Sequence, residues 1–474
     1  MIIEFESPRL GYGNVEISNT LGKGIPGGIT AIIGNNGSGK TTLGTILEKG
    51  RYAYGNRLRF HRSDAKVKML SFTDIHSLSG MEVQYFAQRM ESTMNDLVPT
   101  VSEILGDRIN SGAWERLSRN LALNDVADKK INYLSSGELR KLIIINALVL
   151  SPDILILDNP YIGLDALSRK ELDETFLMLR DEGTSVVLLV CDPSEIPAFT
   201  DHVLPINDCR LGNLMTFSAF MEQKQGDIKS LQKQISLPPK PINNLPGFDI
   251  AFSIHDGHIR YGDRQILKDF NWTVRKGERW VLTGPNGSGK SLLLSMICAD
   301  NPQGYANDIT LFDMKRGSGE SIWEIKDHIG YVSPEMQLFF RSSSSVEEII
   351  VQGMRQSLNL YGKPSSEELT IASGWMTLMN ISHLAGRNFR NLSAGEQRLV
   401  LVARAMVRQP ELLILDEPLH GLDPANKERI KDIINTLVET NDSTLIFVTH
   451  YTSEIPSCIT KTKSIKSPKV EDML

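Results

Sequence analysis

Two stretches, "GNNGSGKT" at 34–41 and "GPNGSGKS" at 284–291, share the pattern GxxxxGK followed by a hydroxyl residue. Glycines let consecutive backbone N–H groups curl around an anion, and a helix opening at the lysine turns its positive end to the same point. Lys40 and Lys290 would neutralise β- and γ-phosphates, while Thr41 and Ser291 offer hydroxyls to Mg2+. The candidate nucleotide set is Gly34, Asn35, Asn36, Gly37, Ser38, Gly39, Lys40, Thr41 and Thr42 in one stretch. In the other it is Gly284, Pro285, Asn286, Gly287, Ser288, Gly289, Lys290, Ser291 and Leu292. A single match can be a glycine-rich turn; two in register argue for chemistry.

A second device is also doubled. "ILILDNPYIGLD" ends at Asp165 and "LLILDEPLHGLD" at Asp423. Each opens as an apolar strand ending in a carboxylate, Asp158 or Asp416, which beside a phosphate loop suits Mg2+ held through water. The next residue differs. Glu417 can take a proton from water; Asn159 keeps the shape and cannot.

The doubling extends along the chain. Lys40 recurs as Lys290 at an offset of 250, Gly137 as Gly395 at 258, and Glu195 as Glu454 at 259. A steady offset near half the length means a duplicated domain. In each copy a β-branched run precedes the glycine loop, and "LSxGE" is followed by a helical face: Leu139, Leu142 and Ile143, then Leu399, Val402 and Ala403. Alternation of this kind predicts an α/β fold with a mixed, largely parallel sheet in each copy. Thr100 with Glu103, and Ser345 with Glu348, form capping boxes that start a helical subdomain between glycine loop and "LSxGE". The expected division is a first domain at 1–220, a polar, Pro- and Asn-bearing linker at 221–247, and a second domain at 248–474.

The whole chain, 474 residues long, suits two such domains. Its net charge of −6 gives no general basic excess for nucleic acid or an anionic membrane. The N-terminus lacks the order of a signal peptide, and the apolar runs fall well short of the ~20 residues a spanning helix needs. Four scattered cysteines fit a reducing, cytoplasmic setting without structural zinc. The stretch "RYAYGNRLRFHR" interleaves Arg51, Arg57, Arg59 and Arg62 with aromatics. That pattern can hold a single strand, but a hairpin with a solvated basic face is the stronger reading.

Glycine loop, "LSxGE" and "LDEP" together resemble the ATP-binding cassette (ABC) ATPases, twice over nearly the whole chain. The resemblance implies two P-loop NTPase cassettes that sandwich two ATPs with Mg2+. In it, Ser135 and Gly137 of the first copy contact the γ-phosphate held by the second, and Ser393 and Gly395 serve the first site. It implies adenine stacking on Tyr12 and Tyr261, and a histidine holding the γ-phosphate: His450 in the second copy, with Cys191 at the aligned place in the first. Glu417 and His450 are then the catalytic pair. Thr41, Asp158, Ser291 and Asp416 are the Mg2+ residues. Gln88, with Gln84 close by, is the candidate glutamine-loop ligand of the first copy; the second has Pro334 and Glu335 where that glutamine usually falls. "ADNPQGYANDITLFDMKRGSGESIWEIKDHIGYVSPE" resembles the ModF type, also labelled PhrA or photorepair: tandem cassettes without transmembrane segments, associated by name with molybdate transport.

The implied activity is ATP hydrolysis at the second site, with the first acting as an ATP clamp. The implied partner is a membrane permease, with the chain cytoplasmic or peripheral at the inner membrane face. An alternative is a soluble ABC ATPase acting on ribosomes or nucleic acid. The short linker and Asn159 count against it, since that group usually keeps a long charged linker and both glutamates.

Overall fold

The computed structural model describes residues 1–474 except 13–14, 20–23, 50–57, 72–98, 122, 124–125, 132–133, 135, 225–234, 242–244, 262–263, 341, 356–361 and 466–474. Both copies build the same parallel sheet. In the first, the strands run Val67–Leu70, Ile154–Asp158, Ser185–Val190, Ile29–Ile33, His202–Asn207 across the sheet. In the second they run Ile329–Val332, Leu412–Asp416, Thr444–Val448, Arg279–Thr283, Lys461–Ser464. The strands Ile154–Asp158, Ser185–Val190, Leu412–Asp416 and Thr444–Val448 are buried at every position. That is why they read as unbroken apolar runs rather than alternations.

Antiparallel strands complete the mixed architecture. The long pair Ile250–Tyr261 and Arg264–Arg275 lies beside Asp308–Leu311 in the second half; Arg9–Tyr12 and Val15–Ser18 form the shorter counterpart. The helix Lys40–Lys49 packs on both Arg9–Tyr12 and Val67–Leu70, so the glycine loop is gripped from two sides.

The helical subdomain appears in both halves. Val346–Arg355 and Ser366–Leu378 pack against Ala394–Met406 around fully buried Trp375. In the first half, Val101–Leu105 and Gly112–Asn120 bring Trp114 into the core that contains Leu139 and Leu142. Both capping boxes form. Thr100 Oγ1 accepts from Glu103 N and Glu103 accepts from Thr100 N; Ser345 and Glu348 do the same.

The helix Phe217–Lys224 runs across the expected boundary at residue 220. Further on, Ile235 and Leu237 pack on the second half's core, and Gln409 donates to the Pro238 carbonyl at 2.7 Å. This end of the connecting segment is thus fastened to the second half. Arg59 and Arg62 also have acidic neighbours: Glu4 at 3.9 Å for the first, Asp153 at 2.8 Å and Asp64 at 3.3 Å for the second. Arg51 and Arg57 lie outside the described residues.

Candidate functional site

Each glycine loop leaves the end of a parallel strand, Ile29–Ile33 or Arg279–Thr283, and enters a helix at its lysine. Gly37, Gly39, Gly287 and Gly289 take φ of 77°, 97°, 74° and 92°, the left-handed region that only glycine enters freely. Lys40 Nζ donates to the Gly34 carbonyl at 2.7 Å and the Asn35 carbonyl at 2.8 Å. Lys290 repeats this with Gly284 and Pro285 at the same two distances. Burial pushes both ammonium groups below the usual lysine range, and neighbouring carboxylates only partly offset it. Two cations held by neutral oxygens, with the Ser38 hydroxyl at 3.4 Å added for Lys40, are suited to receive phosphate oxygens.

The hydroxyl and the strand-end carboxylate meet in both copies. Thr41 Oγ1 donates to Asp158 Oδ2 at 2.6 Å, and Ser291 Oγ to Asp416 Oδ2 at 3.4 Å. A hydroxyl and a carboxylate side by side at the loop-helix junction are hard oxygen donors that fit Mg2+. Thr42 and Leu292 occupy the first turn of their helices.

Beyond the strand ends the copies keep one backbone and differ in side chains. Asn159 and Glu417 adopt φ of 49° and 48°, and each N–H donates at 2.9 Å across the sheet, to Leu189 O and Val448 O. A buried arginine stands behind each turn. Arg140 reaches the carbonyls of Asp158, Asn159 and Pro160, and Arg398 occupies the matching helix position. Burial pushes both guanidiniums down to about 10.

At the second site Glu417 sits between two imidazoles. His450 Nε2 is 3.1 Å from Oε1 and His420 Nδ1 is 2.9 Å from Oε2. Burial opposes the Glu417 charge, yet the two histidines hold its carboxyl well below the ordinary range. Burial, then the neighbouring Glu417 charge, raise Asp416 to about 7. Burial also opposes charge on His420, and Glu417 overcomes it, raising His420 above its usual value. At the first site Asn159 Nδ2 donates to Asp158 Oδ1 at 2.9 Å. Its Oδ1 receives the Cys191 thiol at 3.8 Å, and Ile162 stands where the other copy has His420. Burial pushes the Cys191 thiol well above its ordinary value. At the place of Glu417 this site has an amide joined to the Asp158 carboxylate and the Cys191 thiol.

The two halves face each other head to tail. Asn36 N donates to Asp423 Oδ2 at 3.0 Å, Asn36 Nδ2 to Gly421 O at 2.9 Å, and Asp423 N returns a bond to Asn36 Oδ1 at 2.8 Å. The mirror contacts run from Asn286 N to Asp165 Oδ2 at 3.1 Å and from Asn286 Nδ2 to Gly163 O at 3.2 Å. Ser393 caps its helix through Glu396, and Gly395 lies so close to Asn36 that an added Cβ would fall 1.8 Å from Nδ2. Between the two sites, Lys427 pairs with Asp192 of the other half at 2.8 Å and with Glu454 at 3.1 Å. Arg169 lies over the rings of Tyr161 and Tyr451.

The structure thus brings together the first loop with Gly395, and the second loop with Asp416, Glu417 and His450. Tyr12 ends its strand with 41% of its surface exposed, as a stacking platform requires. Ser135, Gln84 and Gln88, and the side chain of Tyr261, lie outside the described residues; Gly137 is placed by backbone in the first turn of Ser136–Leu148. Pro334 and Glu335 open a helix from which Gln337 donates to the Ala394 carbonyl at 2.6 Å, beside Ser393. Neither residue type nor spacing singles out Asp165, Asp423, Gly163, Gly421, Arg140 or His420. For the first four the signal is that Gly-Leu-Asp repeats in both copies; for His420 it is the contrast with Ile162.

A family model described as ABC transporter matches residues 22–162 and 267–420. The chain is 36% identical over 446 residues to the ABC transporter ATP-binding protein ModF of Escherichia coli (strain K12), covering 91% of this chain and 89% of the relative. It is 27% identical over 459 residues to an uncharacterized ABC transporter ATP-binding protein of Schizosaccharomyces pombe, covering 93% and 92%. Among solved structures, ABCE1 in a model of ribosome-bound archaeal Pelota and ABCE1 superposes with a TM-score of 0.57 at 20% identity. That match covers 90% of this chain and 70% of that one, and it is a likeness of fold.

Proposed function

Since this chain belongs to the ABC transporter family of ATP-binding proteins, whose general activity is ATP hydrolysis, we propose that it closes an intramolecular sandwich over two unlike ATP sites. In this reading the first cassette runs from residue 1 to the end of the helix Phe217–Lys224, and the second spans 248–474. Site one joins the first glycine loop to Ser393 and Gly395, and holds ATP as a clamp. Site two joins the second loop to Ser135 and Gly137, and hydrolyses. The observation that carries it is the pair of three-residue sets: Glu417, His420 and His450 at one site, Asn159, Ile162 and Cys191 at the other.

At site two, Lys290 and the loop N–H groups bind the β- and γ-phosphates. Glu417 accepts a proton from water as that oxygen bonds the γ-phosphorus and the bond to the ADP oxygen breaks. His450 holds the Glu417 carboxylate and reaches the γ-phosphate. Ser291 and Asp416 would hold Mg2+, which when bound would supply positive charge beside the phosphates. At site one Lys40, Thr41 and Asp158 support binding, while Asn159 takes no proton.

Steady-state hydrolysis and bound-nucleotide counts test the asymmetry. Glu417→Gln should lower turnover about 10²–10⁴-fold while leaving ATP bound, because only the base is lost. Asn159→Glu should restore little, because Cys191 stays. Near-normal turnover in Glu417→Gln, or a doubling by Asn159→Glu alone, refutes the assignment.

We further propose that this cycle energises or regulates transport through a separate membrane permease, molybdate-related as in ModF-type proteins. Kinship to a protein named as a transporter's ATP-binding component supports this. Among the described residues no helix is long and apolar enough to cross a membrane. Affinity purification from detergent-solubilised membranes should recover a defined permease, and disrupting the gene should lower molybdate uptake. Ribosomes or nucleic acid in its place would favour the soluble alternative.

A further inference from the structure

Glu417 is buried, and a buried carboxylate needs partners on both oxygens. His450 serves Oε1. The partner of Oε2 is His420, whose side chain is only 1% exposed and comes within 2.9 Å. Its ring packs edge-on to Tyr451 at 5.6 Å, and its Nε2 has no partner among the described residues, so Nδ1 is the atom at work. That same Nδ1 accepts a hydrogen bond, at 3.2 Å, from the backbone N–H of Gly163 in the first cassette.

We infer that His420 is a positioning residue for hydrolysis at the second site, its Nδ1 alternating between the Glu417 oxygen that His450 does not approach and the Gly163 N–H of the first cassette. The inference rests on Glu417 being the base. Two observations carry it. One is the geometry, in which one imidazole nitrogen stands between the catalytic oxygen and the opposite cassette. The other is the repeat: where the base is replaced by Asn159, the residue aligned with His420 is Ile162, which has nothing to offer a carboxylate. Nδ1 can serve only one neighbour at a time, giving a proton to Oε2 or taking one from Gly163 N. The hold on Glu417 therefore depends on how near the first cassette's turn stands.

The test compares His420→Ile, which copies the first cassette, with His420→Asn in the full chain. The asparagine nitrogen falls near the place of Nδ1, from which it can donate to Glu417 Oε2. His420→Ile should lower kcat by about 10–100-fold, the range expected when a reacting group is misplaced by ~1 Å, with KM and ATP bound per chain within about twofold of wild type. His420→Asn should recover most of that loss. In a Glu417→Gln background, His420→Ile should cause no further loss, because His420 acts only through the carboxylate. Melting temperature is measured alongside, and the Asn variant keeps the test open if the Ile variant fails to fold. Wild-type kcat in His420→Ile overturns the inference, as do equal losses in the Ile and Asn variants. An inactive Glu417→Gln beside a normal His420→Ile overturns this inference alone. An active Glu417→Gln overturns the reading of the site, and this inference with it.

Discussion

Gly395→Ala adds one methyl at the closest approach between the cassettes. The new Cβ would stand 1.8 Å from Asn36 Nδ2 and 2.6 Å from Asn36 Cγ, with the Gly421 carbonyl that accepts from Asn36 at 3.1 Å. Normal contact begins near 3.4 Å, so the two segments must part by about 1.6 Å. Asn36 cannot swing aside, because its backbone and amide make three hydrogen bonds to Gly421 and Asp423. Losing them at about 1 kcal/mol each, with more for the bond to the Asp423 carboxylate, weakens closure by roughly 3–4 kcal/mol. That is on the order of 10²–10³ in the closing equilibrium. The assay is ATP-dependent closure, read by fluorescence transfer between dyes on the two cassettes and accompanied by turnover. The variant should need far more ATP to close. Turnover should fall as well if, as proposed, hydrolysis at site two needs the same closing movement that the clash at site one opposes. Gly386→Ala is the control, since nothing stands within 4 Å of its added Cβ. Closure and turnover at wild-type ATP concentrations in Gly395→Ala would refute the packed interface.

Lys40→Ala and Lys290→Ala should each remove about one bound nucleotide, since each lysine serves its own loop; two ATPs retained per chain in Lys40→Ala would exclude the first site. Lys427→Met should destabilise the chain to denaturant by about 3–5 kcal/mol, leaving Asp192 and Glu454 buried without their cation, and an unchanged midpoint would refute this. Burial works against the Asp192 charge but Lys427 holds its carboxyl below the ordinary range. Its contribution is therefore complete above about pH 4 and disappears as pH falls through the lowered value, which unfolding at stepped pH in wild type and Lys427→Met would register. Iodoacetamide at neutral pH should label half-buried Cys209 before Cys191 or Cys298, whose thiols are buried and pushed well above their usual value; peptide mapping that finds Cys191 first contradicts the packing.

What could be read beforehand depended on covalent neighbourhood. The glycine loops and capping boxes are local, and their residues stand within a few positions of their partners; the strand-end aspartates are marked by the apolar runs they close, although Thr41 and Ser291 lie 117 and 125 residues away. Asn159 and Cys191 were legible because each has an aligned counterpart whose chemistry it lacks. The cross-cassette contacts were not: Asn36 and Asp423 are far apart in sequence, and their meeting depends on how two folded bodies dock. His420 was hidden for another reason. A histidine in a short turn has many ordinary uses, and only the distance to Glu417 selects one. Tyr12 and Arg140 fall between, since repetition marks a place worth keeping without saying what meets it there.

Docking both halves on one polypeptide has an evolutionary consequence. In a pair of identical subunits every substitution is made twice, so an asparagine at the base would silence both sites together. Here the Asn36–Asp423 and Asn286–Asp165 contacts form within a single chain. Each cassette meets its counterpart at the effective concentration of a tether, whatever the protein's abundance. On one chain, a residue can therefore differ at one site while its counterpart stays, as it does at Asn159 and Glu417, Ile162 and His420, and Cys191 and His450.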